Sequence, residues 1–358
     1  MTTTDPILRT DGLKKHYKQS TTPLEVLRSK LTGGGKEPIK AVDDVDLSFH
    51  ENEISGVIGE SGCGKTTLLE TLIGLHDPTA GEIYFDGRPT SEFGSEEWHE
   101  YRRRVRIIFQ NPYEAMNPKF TVRRALTEPL SIHGLDTDEE RLYDVLERVN
   151  LTPPEQYLDK YEGQLSGGEK QRVAIARELI VDPDVILADE PVSMLDVSTQ
   201  VAILHMLKEL AAEDDLSVIY ISHDISTVSY ICEEVNVMYL GNVVESAPTR
   251  KLLDDPEHPY TRELLRAIPI PDPDHDRTRS NVPGNPPDPV NLPSGCNFKE
   301  RCPDRMEICD VEPVLFPTGE EHRTKCHLHY DHEQHADAAV DDGPTAAEHR
   351  AVGDGGNQ

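Results

Sequence analysis

Gly59-Glu60-Ser61-Gly62-Cys63-Gly64-Lys65-Thr66 sits between a short apolar run, Ile54 to Ile58, and a helix-prone run, Thr67 to Leu75, and few folds accommodate that arrangement. Glycines let the backbone wrap so that successive N–H groups face inward, and the start of the following helix adds favourable partial charge. A loop of this build cradles phosphates when a strand leads into it and a helix leads out. Lys65 then supplies a mobile positive charge to the β- and γ-phosphates, the Thr66 hydroxyl is suited to Mg²⁺, and Thr67 opens the helix.

A second apolar strand, Val185-Ile186-Leu187-Ala188, ends in Asp189-Glu190. Asp189 is suited to hold the metal through water, which leaves Glu190 free to polarise an attacking water. Adjacent acids at a strand end also cap helices, and it is the company of the phosphate loop that favours chemistry here. Strand-like runs (Val185 to Ala188, Val218 to Ile221) alternate with helical ones (Gly168 to Ile180, Val197 to Ala212), the pattern of a parallel sheet covered by helices.

Ahead of the loop, residues 7 to 18 form an opening segment that ends in His16-Tyr17-Lys18, and Val42, Val45, Leu47 and Phe49 read as a half-buried strand, with a bulge after Asp43-Asp44. They flank an irregular Gly- and Lys-containing insert at about 19 to 38. Charged helix-prone segments fill about 95 to 165, and in one of them Leu142, Val145, Leu146 and Val149 share a face. Val235 to Tyr239 and Val243 to Glu245 read as a hairpin around Gly241-Asn242.

Leu165-Ser166-Gly167-Gly168-Glu169-Lys170-Gln171-Arg172 contains a helix capping box, Ser166 with Glu169. Two consecutive glycines weaken a helix start by roughly 1 kcal/mol each relative to Ala. They make sense where another backbone or a phosphate must approach that helix end, and the cap itself then forms the anion site.

That octapeptide resembles the signature of the ABC ATPases, about 20 residues before the acidic strand. The resemblance extends to Gln110 after Ile107-Ile108-Phe109 (Q-loop), to Ser193-Met194-Leu195-Asp196 (D-loop), to His223 (switch histidine) and to Tyr17 (the aromatic that stacks on adenine). It implies an α/β fold: a P-loop NTPase (RecA-like) core, an antiparallel β subdomain and an inserted α-helical subdomain. It also implies two ATPs buried head-to-tail between paired ATPase subunits, with Ser166, Gly167, Gly168 and Asp196 of one closing over the phosphate loop of the other. Glu190, His223 and Gln110 are the implied catalytic set, with Thr66, Gln110 and Asp189 at Mg²⁺. Glu169 stands where Gln is common, and a capping role makes the change of little consequence.

His258-Pro259-Tyr260-Thr261, Leu264 to Pro269, Phe109 to Tyr113 and Met238 to Gly241 resemble the second ATPase of dipeptide and oligopeptide importers. Importers of nickel or sugars carry similar ends. The implied partners are a second ATPase, identical or distinct, two transmembrane permease subunits and an extracytoplasmic solute-binding protein, with this chain on the cytoplasmic face of the membrane. A DNA-repair ATPase of the same class inserts a long coiled coil where this chain has only about 100 residues between Gly59 and Ser166.

The 66 acidic and 36 basic residues leave a formal charge of −30, and Arg (22) outnumbers Lys (14). Such a chain does not suit nucleic acid, whose phosphates are bound by Lys/Arg-rich faces. It suits solubility at very high salt, where repulsion is screened within about 3 Å at 1 M. A specific basic partner is the other reading. No run reaches the roughly 18 apolar residues of a spanning helix.

Prolines crowd 269 to 293, reading as an extended linker, and the stretch from 331 to Gln358 reads as a disordered acidic tail. Between them, at about 294 to 330, Cys296, Cys302, Cys309 and Cys326 are separated by five, six and sixteen residues. Clustered thiols in a reducing compartment point to metal. The long gaps, with the cysteine-containing carboxy-terminal region of the resembled family, favour a [4Fe–4S] cluster over zinc, with His327 or His329 available to a zinc set and unmetallated thiols the third reading. Primary service as a redox- or iron-responsive regulator is a further alternative. Cys63 and Cys232 read as packing residues.

Overall fold

The computed structural model describes residues 5–18, 37–111, 117–213, 215–266, 287, 289–290, 292 and 294–329. The insert at 19–38, the linker at 269–293 and the tail at 331–358 lie largely or wholly outside them. In chain order the elements are β1 (Leu8–Tyr17), β2 (Ile39–Val45), β3 (Ser48–Phe49), β4 (Ile54–Ile58), α1 (Lys65–Leu72), β5 (Ala80–Phe85), β6 (Arg88–Pro89), α2 (Ser95–Arg104) and β7 (Val105–Ile108). There follow α3 (Val122–Ile132), α4 (Glu139–Arg148), α5 (Gly167–Leu179), β8 (Val185–Asp189), α6 (Val197–Glu213), β9 (Ser217–Ser222), α7 (Ile225–Ile231), β10 (Glu234–Tyr239), β11 (Asn242–Pro248), α8 (Thr249–Asp254), α9 (Pro259–Arg266), β12 (Phe316–Gly319) and β13 (His322–Thr324).

The larger sheet has eight strands in the order β12-β13-β11-β10-β4-β9-β8-β7. From β10 to β7 the pairing is parallel, and the remaining strands are antiparallel. Strands β4, β8 and β9 are buried at every residue, as parallel strands covered on both faces must be. Their alternation divides the core in two. Ile54, Ile58, Ile186 and Ala188 pack toward the helices α3 to α7, and Val57, Val185 and Leu187 pack toward α1 and the small sheet.

The smaller sheet is antiparallel, in the order β2-β1-β5-β6 with β3 also on β1. The bulge expected after Asp43-Asp44 is present. Leu13 pairs with Val45 and Lys15 with Val42, so β2 carries one residue more than β1, and Asp44 takes φ +63° to absorb it.

Thr121 and Asp138 cap α3 and α4 by accepting the N–H groups of Arg124 and Arg141. The predicted face of Leu142, Val145, Leu146 and Val149 is buried. The sequence groups 95 to 108 with this helical insert, but the fold places them in the core. Tyr101 of α2 is fully buried and donates its hydroxyl to the Leu72 carbonyl at the end of α1, and β7 completes the large sheet beside β8. Arg- and Glu-rich composition hid the link, because Tyr101 is the only buried side chain of α2. Among the described residues no helix is long and apolar enough to cross a membrane.

Candidate functional site: a nucleotide-binding edge

Strands β4, β9, β8 and β7 lie side by side. Pairing Ile58 with Ser222, Ile221 with Asp189 and Ala188 with Ile108 sets their carboxyl ends level. Gly59, His223, Asp189-Glu190 and Gln110 therefore leave the sheet along one edge, where open parallel sheets bind ligands.

The loop after β4 is pressed from two sides. A Cβ on Gly64, at φ +110°, would come within 2.0 Å of the Ala41 carbonyl oxygen, and one on Gly59 within 2.2 Å of that of Met238. Gly64 is also the N-cap of α1 and has no side chain to offer it, so the first-turn N–H groups remain available to a ligand. Lys65 is buried, and its Nζ donates to the carbonyls of Gly59 (2.7 Å) and Glu60 (3.2 Å). Ser61, Gly62 and Thr66 are exposed, whereas Thr67 is half-buried. Cys63 and Cys232 are both buried in the core, and burial pushes both thiols up.

Asp189 is 7 % exposed. Burial raises its carboxyl above the ordinary range, opposed by a hydrogen bond from the Thr66 hydroxyl and by the charge of Lys65. Glu190 takes φ +46°, a costly conformation for a residue with a side chain. Its N–H donates to the Ile221 carbonyl at 3.0 Å, which fixes it against β9. Its two carboxylate oxygens are divided: Oε1 lies 2.7 Å from His223 Nδ1, and Oε2 accepts from Gln110 Nε2 at 2.8 Å. Gln110 also reaches Ser193 Oγ at 3.4 Å. Glu190 thus touches both of the other predicted catalytic side chains.

Ser166 caps α5 in a complete capping box. It accepts the N–H of Glu169 at 3.3 Å, and Glu169 Oε2 accepts the N–H of Ser166 at 2.7 Å. The two glycines have different reasons. A Cβ on Gly168 would meet Thr199 Cγ2 at 2.6 Å, so α6 requires that glycine within the chain itself. Gly167 meets only Leu195, at an ordinary 3.6 Å, and has no such requirement. Asp196 accepts the N–H and hydroxyl of Thr199 at 3.1 and 2.8 Å and the Ser198 hydroxyl, which together push its carboxyl down to about 2. Tyr17 ends β1, half-buried, with its ring edge-on to His76 at 5.7 Å.

Cys296, Cys302, Cys309 and Cys326 are all free thiols close enough to influence one another electrostatically. Burial pushes Cys302 up to about 11 and Cys326 to about 12. Backbone N–H groups point at the sulfurs: Phe298 and Lys299 at Cys296, Asp304 at Cys302, Met306 at Cys309 and Leu328 at Cys326. Even so, among the described residues no group of three or more His, Cys, Asp or Glu side chains is placed to hold a metal ion. The expected cluster is therefore not prearranged as a ligand set. His327 and His329, the zinc candidates, turn Nε2 to the carbonyls of Val311 and Glu257.

Sequence reasoning missed what surrounds Glu60. Its N–H donates to the Tyr260 hydroxyl at 2.9 Å, and its carboxylate pairs with Arg301. Tyr260 stood out only as part of a motif, and nothing marked Arg301.

The family profile described as ABC transporter matches residues 42–193, and that described as oligopeptide/dipeptide transporter, C-terminal region, matches 244–309. A dipeptide transport ATP-binding protein of Haemophilus influenzae is 41% identical over 307 residues, 85% of this chain and 90% of that one. A Brucella ovis protein named "Putative peptide import ATP-binding protein" is 41% identical over 310 residues, 86% of this chain and 92% of its own. An ATP-binding cassette solved as a dimer in a post-hydrolysis state with ADP and Pi superposes with a TM-score of 0.57 at 31% identity, over 68% of this chain and 99% of that one. The chain belongs to the ABC transporter ATP-binding proteins, and it carries the C-terminal region of the oligopeptide/dipeptide branch.

Proposed function

We propose that this chain hydrolyses ATP to power an importer of di- or oligopeptides, working from the cytoplasmic face of the membrane. The observation that carries the catalytic part is the Glu190 carboxylate, fixed between Gln110 and His223 at the strand edge beside the phosphate loop. The similarity to dipeptide and peptide import ATP-binding proteins over most of both chains carries the transport part.

Hydrolysis of the γ-phosphate needs a positioned water and compensation of charge rather than a covalent intermediate. Glu190 polarises the water, with His223 and Gln110 holding its carboxylate in register. Lys65 leaves the carbonyls of Gly59 and Glu60 for the β- and γ-phosphates, while the N–H groups of Ser61, Gly62 and Gly64 to Thr67 wrap them. Thr66, Asp189 and Gln110 would hold Mg²⁺, which compensates phosphate charge when bound. The buried, incompletely compensated Asp189 carboxylate fits that use. Tyr17 supplies an aromatic face for adenine.

A second ATPase subunit, identical or distinct, contributes the other half of each site. Gly167, free of any crowding that demands glycine within this chain, supports close approach of a partner's nucleotide to Ser166, Gly167 and Gly168. Asp196 holds the loop that crosses the interface. Two permease subunits and an extracytoplasmic binding protein complete the importer, and this chain has the character of the second ATPase of such a pair. The four thiols would supply the ligands of a [4Fe–4S] cluster. Amide N–H groups aimed at the sulfurs support an iron–sulfur site, since such bonds stabilise thiolate ligands. The charge of −30 supports work at high salt.

Reconstitution in vesicles with the permease pair, companion ATPase and binding protein tests the reading. ATP-dependent accumulation of a labelled dipeptide that Lys65→Ala abolishes is the expected result. Hydrolysis without peptide accumulation, in the presence of every partner, would refute the transport assignment.

A further inference from the structure

Glu60 places a carboxylate inside a loop built to receive a highly charged anion. Three contacts fix it. Its N–H is bonded to the Tyr260 hydroxyl at 2.9 Å, and its carbonyl accepts Lys65 Nζ at 3.2 Å. Its side chain takes both prongs of the Arg301 guanidinium, at 2.9 Å and 3.0 Å. Arg301 comes from the cysteine-containing segment, between Cys296 and Cys302. It is 7 % exposed, with the Tyr239 hydroxyl 3.3 Å from Nη1 and the Tyr239 and Phe298 rings 5.7 and 5.9 Å from the guanidinium. Phe298 packs in turn on Tyr239 and Tyr260. A planar, two-pronged pair on an aromatic platform has little freedom to re-form elsewhere.

We infer that Arg301 is a positioning residue for nucleotide: docked, it neutralises Glu60 and holds the phosphate loop open to a triphosphate, so the seating of the cysteine segment sets ATP affinity. Without the guanidinium, Glu60 is an unpaired carboxylate within the phosphate loop. That repulsion is worth on the order of ten-fold in affinity. Linkage makes the coupling reciprocal, so bound ATP tightens the cysteine segment in return.

The test uses the full-length chain, with binding of MgATP, ADP and AMP measured by competition against a fluorescent ATP analogue. Arg301→Met should weaken MgATP about ten-fold and AMP less than three-fold. The double variant Glu60→Gln/Arg301→Met should recover MgATP affinity to within about three-fold of the parent. A role confined to stability would not be rescued by deleting the carboxylate. MgATP should also slow amide exchange across residues 296 to 303 in the parent and not in Arg301→Met. Should Arg301→Met fail to fold, Arg301→Lys keeps the charge and should bind MgATP within about three-fold of the parent while losing part of the exchange protection. Normal MgATP affinity in Arg301→Met, a double variant as weak as the single, or a lysine variant with unaltered exchange protection would each overturn the inference.

Discussion

Replacing Glu190 by Gln isolates one property of the proposed site, the negative charge that would lie beside the attacking water. The side chain keeps its shape, and the network around it can be satisfied again. Glu190 Oε2 accepts from Gln110 and Oε1 faces His223 Nδ1. A carboxamide oxygen preserves one of those bonds, and its NH₂ can donate either to a neutral imidazole nitrogen or to the oxygen of a turned Gln110 amide. The φ of +46° is unchanged by the swap, so no new backbone strain arises. Stability should stay within about 0.5 kcal/mol of the parent. Hydrolysis should fall by the share that a positioned base contributes, about 10²- to 10⁴-fold, equivalent to roughly 2.7 to 5.4 kcal/mol of barrier. Phosphate release at saturating MgATP measures the first effect and thermal unfolding the second. Nucleotide binding should survive, and size-exclusion chromatography with ATP should show a persistent dimer, formed with the companion ATPase where the pair is mixed. Turnover within five-fold of the parent, with the fold intact, would refute Glu190 as the base.

Other consequences are open to direct measurement. Glu245 and His322 are both 0 % exposed and meet at 2.8 Å, joining β11 to β13, so His322→Ala should cost about 3 to 5 kcal/mol in urea unfolding; a loss below 1 kcal/mol would mean that the N–H groups of Glu257 and His258 suffice for Glu245. Burial, with Glu234, Glu233 and Glu321 nearby, lifts the Glu53 carboxyl to about 7 from an ordinary 4.5. The folded state therefore binds that proton more tightly than the unfolded chain, and stability from this group is present below about pH 4.5 and lost as pH rises through about 7. Glu53→Gln should then stabilise by about 1 kcal/mol at pH 8, after allowance for solvent screening, and change nothing at pH 4.5; an equal effect at both values would contradict the shift. With a charge of −30 the unfolding temperature should climb by about 10 °C or more between 0.1 and 2 M KCl, and a flat response would remove the high-salt reading.

What the sequence discloses about this fold depends on how local the cause is. β4, β8 and β9 are legible because strands buried on both faces need unbroken apolar runs. The face of α4 is legible from helical spacing alone. Strands β5 and β6 and helices α7 to α9 are less so, being short elements without a long period. The placement of α2 is hidden because only two aromatics, buried Tyr101 and the half-buried Trp98 beside it, tie a mostly charged helix to the end of α1. The same rule holds at the site. Lys65, Asp189, Glu190, Gln110 and His223 announce themselves through neighbours in sequence. Arg301 reaches Glu60 from 241 positions away, and no local pattern encodes such a pairing.

The capping residues show why a structural role and a functional one need not compete. Ser166 and Asp196 both satisfy helix starts within this chain, as elementary hydrogen-bond requirements dictate. A cap fixes where a helix N-terminus points, and a fixed N-terminus is what an anion on a partner subunit can use. Gly168 is accounted for by Thr199 of the same chain, so it offers no separate evidence for an interface. Gly167 does, because among the described residues only Leu195 meets it, at an ordinary 3.6 Å, and a glycine there still weakens the helix. Gly167→Ala thus separates the two demands: if only capping mattered it would leave folding intact or improve it and leave turnover alone, whereas a partner's phosphate seated against that helix end makes it lower ATPase activity while the isolated subunit becomes no less stable.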